Sequence, residues 1–114
     1  MEKQDRRAHI AAYKALPQQG GIYQIRNTTT GRILLHWTAE MQGSKNRFDF
    51  AVLTDSCVDY ALQSDWKQYG KQVFAFEVLE ARAQKETQTL PAFRADLKKR
   101  FEQWQEKLAG VPQY

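Results

Sequence analysis

Three kinds of side chain in this sequence carry chemistry: a histidine beside a tryptophan, a lone cysteine, and short clusters of basic residues. His36 can carry a proton near neutral pH. Its neighbour Trp37 can stack on a nucleobase or close a core. Cys57, the only cysteine, stands where a helix is expected to begin, a position that can activate a thiol. No histidine or acid is set beside it by any motif, so a nucleophile is not expected there. One cysteine excludes an internal disulfide, and two histidines do not complete a zinc cluster. Arg6, Arg7, Lys14, Arg26 and Arg32 fill the first third of the chain, opposed there only by Glu2 and Asp5. Lys45 follows, and Lys98-Lys99-Arg100 forms a late basic run. Arg26, Arg32, Lys45, Lys98 and Lys99, with Trp37, are the candidate nucleic-acid contacts. Their alternative is solvated surface, because consecutive basic residues on a helix point to different faces.

Seventeen basic and 13 acidic residues leave a net charge of +4. Such an excess attracts phosphate polyanions, and nucleic acid is the partner it favours. The 114 residues suit one domain, read as a helical extension over 1–19 and a core over 20–110. No apolar run approaches the ~18–20 residues of a membrane helix. The polar start, Met1 to Arg7, leads into no apolar segment, so the expectation is no signal peptide, no membrane partner and a cytoplasmic location.

These residues need elements to position them. Gln4–Leu16 reads as a helix, with Ile10, Tyr13 and Leu16 on one face, stopped by Pro17 and Gly20-Gly21. Ile22–Arg26 alternates as a strand, Asn27–Gly31 is a turn, and Arg32–Trp37 is a second strand, together a hairpin. Gln42–Asn46 reads as a loop. The alternation of Phe48, Phe50 and Val52 predicts a further strand over Arg47–Leu53. Thr54 to Ser56 supply cap residues for a helix running to Tyr69, striped by Val58, Leu62, Trp66 and Tyr69 and closed by Gly70. Val73–Leu79 is an aromatic-rich strand. A polar connection from Arg82 to Thr89 leads to a long helix over Pro91–Leu108, whose stripe is Leu90, Phe93, Leu97, Phe101, Trp104 and Leu108. The predicted class is α+β, a small antiparallel sheet of three to four strands flanked by helices.

Gly21-Ile22-Tyr23, continued by Gln24-Ile25-Arg26-Asn27-Thr28 and Thr30-Gly31, resembles the GIY-YIG nuclease superfamily. Its first strand reads G-I-Y-x-I-x-N, and its second strand reads Y-I-G-x-T. Leu62–Gly70, Phe74–Glu80 and Glu102-Gln103-Trp104 are similar to the family's later helix, third strand and closing helix. The resemblance covers roughly residues 20–110 and implies a GIY-YIG-like fold. It also implies metal-assisted phosphodiester hydrolysis, in which two tyrosines line the site, an arginine faces the phosphate and a late glutamate holds the metal.

Carried over residue by residue, Tyr23 matches the first tyrosine. The second falls on Leu34, which cannot donate, accept or shuttle a proton. The motif glycine falls on His36, which could stand in as the proton carrier, and Thr38 matches the motif threonine. The nearest arginine is Arg47, expected at a strand start after an insertion containing Gly43 and Ser44. Counting back from Trp104 puts Phe101 at the metal position and Glu102 about 100° round the helix. The candidate catalytic set is therefore Tyr23, His36 and Arg47, with Glu102 as the candidate metal ligand. Leu34 points to a degenerate site in a protein that binds nucleic acid through basic residues, with no cofactor expected. Two other readings stay open: an endonuclease with a remodelled site using magnesium or manganese, and a non-catalytic protein-interaction module.

Overall fold

The structure, a computed structural model, describes residues 19–114. The helix expected over Gln4–Leu16 and the basic residues Arg6, Arg7 and Lys14 lie outside the described residues. Three strands form one antiparallel sheet: β1 (Gln19–Asn27), β2 (Ile33–Thr38) and β3 (Phe74–Ala83), in the order β2-β1-β3. Three helices flank it: α1 (Met41–Thr54), α2 (Gln63–Tyr69) and α3 (Leu90–Lys107). No described helix is long and apolar enough to cross a membrane.

The hairpin forms as its sequence predicts. Asn27 Oδ1 accepts from the backbone N–H groups of Thr29 (2.9 Å) and Thr30 (3.2 Å), and Gly31 takes a φ of 80°. Gly21 is required by close approach: a Cβ there would run into the carbonyl oxygen of Glu80 on β3. A register shift in the β1–β3 pairing follows at once, between Ile22 and Tyr23.

Side chains alternate across the sheet. Ile25 and Phe74 on one face join Phe48 and Ala51 of α1 and Leu62 and Trp66 of the next helical segment in one buried cluster. The other face is covered by α3, whose buried Phe93 and Leu97 meet Ala39 and Trp37. Thr89 caps α3 by accepting the Ala92 N–H at 3.3 Å.

The middle of the chain departs from expectation. Gln42–Asn46 is helix rather than loop, and Arg47–Leu53 is helix rather than strand, both within α1. The alternation of Phe48, Phe50 and Val52 misleads because Phe50 is exposed, while the buried positions Ser44, Phe48 and Ala51 are spaced four and three. Asp55 does not start the next helix. It ends α1 in the left-handed conformation (φ 53°), its N–H meeting the carbonyls of Ala51 and Val52. The next helical segment begins four residues later, where Asp59 Oδ1 accepts the Ala61 N–H at 2.9 Å. A 3-10 turn over Tyr60–Leu62 then leads into α2. Gly70 closes α2 as expected, with a φ of 87°.

Candidate functional site

Tyr23 and His36 are cross-strand partners on β1 and β2, so the hairpin register alone sets them side by side. Their ring centroids are 5.5 Å apart, and Tyr23 also stacks on Phe76 of β3 at 4.5 Å. α1 follows β2 after a short connection and brings Ser44 and Arg47, one turn apart, over the same face. A cleft of about 290 Å³ results, bordered by Tyr23, His36, Thr38, Ser44, Arg47 and Asp59.

A chain of hydrogen bonds organises one wall. Arg47 Nη2 donates to Ser44 Oγ at 3.1 Å, and Ser44 Oγ donates to Thr38 Oγ1 at 2.9 Å. Thr38 Oγ1 accepts the Glu40 N–H at 3.0 Å, tying the chain to the start of α1. On the opposite wall, Asp59 Oδ2 lies 3.3 Å from His36 Nε2. With its other oxygen on the Ala61 N–H, this carboxylate orients the imidazole and starts the next helical segment together.

The charged side chains bordering the cleft are one arginine, Arg47, and one carboxylate, Asp59. Among the described residues, Arg26 lies 2.7 Å from Glu77, Arg32 3.5 Å from Asp65, Arg82 3.9 Å from Glu80 and Arg100 2.9 Å from Glu80. Arg47 has a neutral hydroxyl as its partner instead. Burial pushes the Tyr23 phenol above its usual pKa of 10.0, with Ser44 and the charge of Arg47 opposing the rise and Asp59 adding to it. Tyr23 therefore stays protonated at neutral pH and serves as a hydrogen-bond donor. A protonated phenol, an arginine and an imidazole around one cavity suit a tetrahedral oxyanion such as a phosphodiester.

The three candidate catalytic residues Tyr23, His36 and Arg47 thus meet in one cleft. Arg47 is on helix α1, which follows the second strand, rather than at a strand start. Leu34, at the position of the second tyrosine, packs against the Ile25–Phe48–Trp66 cluster. Glu102 is exposed on α3 and is not among the residues that border the cleft. The bordering carboxylate, Asp59, is engaged on both oxygens. No three metal-ligating side chains cluster among the described residues.

The candidate nucleic-acid contacts are carried by β1, β2 and the residue before it, α1 and α3. Arg26 is engaged by Glu77, Arg32 lies 4.2 Å over the Tyr114 ring, and Lys45 pairs with Asp49 at 3.0 Å. Lys98 and Lys99 are exposed on α3. Trp37 borders the cleft while packing against the α3 cluster. Ser44 and Asp59 were not among the candidates read from sequence. A helical reading of residues 41–54 would have exposed Ser44, three positions before Arg47. Asp59 had the signal of an acidic residue just ahead of the Leu62–Trp66 stripe.

No family model matches the chain, and no curated protein matches it. Among solved structures, its fold is similar to the catalytic domain of the intron endonuclease I-TevI, in a point-mutant form, with 20% identity and a TM-score of 0.58, over 80% of this chain and 84% of that one. A second structure of the same homing-endonuclease domain gives 20% identity and a TM-score of 0.58, over 79% and 88%. The likeness is one of fold: a three-stranded antiparallel sheet flanked by three helices, the α+β architecture of a GIY-YIG catalytic domain.

Proposed function

We propose that this chain binds the phosphodiester backbone of nucleic acid in the Tyr23–His36–Arg47 cleft and has lost the metal-assisted hydrolysis of the nuclease class. The observation that carries the reading is Arg47, a guanidinium at a cleft whose partner is the neutral Ser44 hydroxyl. An oxyanion entering there gains a charge-assisted hydrogen bond without breaking an ion pair. The phenol of Tyr23 adds a donor that holds its proton at neutral pH. A nuclease-like fold supports nucleic acid as the source of that oxyanion. The apolar Leu34 and the absence of Glu102 from the residues that border the cleft support the loss of hydrolysis.

The test is fluorescence anisotropy with labelled DNA and RNA in EDTA at two salt concentrations. Binding should be salt-sensitive, and Arg47→Ala should weaken it by about 10- to 100-fold, the worth of a charged hydrogen bond. It should also lower the salt slope by about 0.7 to 0.9, one phosphate contact. Equal affinity in the wild type and Arg47→Ala would place binding elsewhere.

A second reading, an active phosphodiesterase with a remodelled site, is favoured by one contact, that of Asp59 with His36. A carboxylate behind an imidazole orients it for proton transfer. Cleavage supported by magnesium or manganese and lost in His36→Ala would establish this reading. No cleavage under any divalent ion would remove it.

A further inference from the structure

Arg47 borders two cavities. On its other side is a groove of about 530 Å³ between α1 and the segment after it, whose walls include Phe50, Ala51, Cys57 and Val58. Arg47 and Val58 border both the groove and the cleft. Phe50 follows Arg47 by three residues, so the two side chains are neighbours on the helix surface. Phe50 is 64% exposed, and the packing of α1 is carried by Ser44, Phe48 and Ala51. A large aromatic with no role in the core thus stands beside a cation with no carboxylate partner among the described residues.

We infer that this groove receives an unpaired nucleobase, stacked on Phe50, from the nucleotide whose phosphate sits on Arg47. The inference rests on the phosphate-binding reading of the cleft and names its substrate class: single-stranded or locally unpaired DNA or RNA. The sugar joins base to phosphate over a short span, so an aromatic platform beside a phosphate-binding arginine serves both ends of one nucleotide. Stacking of this kind is tolerant of sequence, because every base has a π face. In a duplex the faces of each base are covered by its neighbours, and the groove has nothing to stack on. The charge at the groove's rim favours this occupant over an apolar peptide, which brings no anion to Arg47.

The experiment uses the full chain with fluorescein-labelled single-stranded DNA, single-stranded RNA and duplex DNA of one mixed sequence, in EDTA. Phe50→Ala should raise the single-strand Kd by about 5- to 100-fold and change the duplex Kd by less than about twofold. Phe50→Trp should keep single-strand affinity, and Arg47→Ala should weaken both forms. The lone thiol of Cys57, in the groove wall, gives a readout without mutation: single strands should slow its alkylation by iodoacetamide and duplex should not. An unchanged single-strand Kd in Phe50→Ala, or an equal loss for single strand and duplex, overturns the inference and leaves the cleft reading in place. So does self-association that Phe50→Ala abolishes while nucleic-acid affinity holds. Failure of the unaltered chain to bind either form at low salt would instead remove the cleft reading beneath it.

Discussion

The two faces of the sheet handle positive charge in opposite ways. On the α3 face, Arg100 reaches Glu80 at 2.9 Å and Asp96 at 3.3 Å, Arg82 approaches both acids at 3.9 Å, and the Trp104 indole donates to Glu80 at 2.9 Å. On the cleft face, Arg47 leans on a hydroxyl. The first arrangement clamps a helix onto a strand and leaves little field for a ligand. The second leaves a guanidinium able to meet an incoming anion. Counting basic residues treats these arginines as equals, although one set stabilises the fold and the other is available for binding.

The comparison breaks most visibly at Arg100. Arg100→Ala removes two carboxylate contacts and leaves Glu80, about a quarter exposed, with Trp104 and a distant Arg82. The expected loss is about 1 to 2 kcal/mol in urea denaturation, as for a charged hydrogen bond in a partly buried network. Nucleic-acid affinity should be unchanged. Arg47→Ala should do the reverse, weakening binding while keeping the urea midpoint. If both variants shift the same observable, the two faces are not separate in function.

Tyr23 sharpens the comparison from inside the cleft. Tyr23→Phe keeps the ring that stacks on Phe76 and removes only the hydroxyl. Affinity for nucleic acid should fall about two- to tenfold, the range of one neutral hydrogen bond. Because the phenol's pKa is raised above 10.0, ionisation of Tyr23 should contribute no pH dependence to binding below that value. A titration that shows equal affinity for Tyr23→Phe and wild type at every pH would mean that the ligand does not reach β1.

The hairpin was legible because its signals are local. The turn needs Asn27 as a side-chain acceptor and Gly31 at positive φ, and both requirements appear as residue types. The α3 stripe was legible for the same reason, since Phe93 and Leu97 repeat at helical spacing. Helix α1 was not, because its buried stripe passes through Ser44, a polar residue that the tertiary structure buries with hydrogen bonds to Thr38 and Arg47. The exposed Phe50 then supplied a false alternation. That one error moved Arg47 to a strand start and hid its relation to Ser44. Tyr23 and His36 were placed by the hairpin register, which the turn dictates. The separation of Glu102 from the cleft depends on which face α3 covers, a long-range choice that helical periodicity does not encode.

The smallest expected effect lies at the Arg26–Glu77 pair, where a candidate phosphate contact is engaged by a strand neighbour. Arg26 Nε and Nη2 donate to the two oxygens of Glu77 at 2.7 and 2.9 Å, and Gln24 adds a bond at 2.9 Å. The hydrogen bond from Arg26 holds the Glu77 carboxyl below its usual pKa of 4.5, against a smaller opposing cost of burial, with Gln24 also lowering it. The folded chain thus releases this proton more readily than the unfolded one. The pair's contribution is present above pH 4.5 and disappears as pH falls through the lowered folded value. Glu77→Gln should therefore shift the urea midpoint slightly near neutrality, with the gap to wild type closing as the pH falls below 4.5 through the lowered folded value. The small size follows from solvent screening, since both side chains are more than a third exposed. The same variant releases Arg26 from its acid. A gain in nucleic-acid affinity would show that Arg26 joins the binding surface once freed, and unchanged affinity would confine binding to the cleft face.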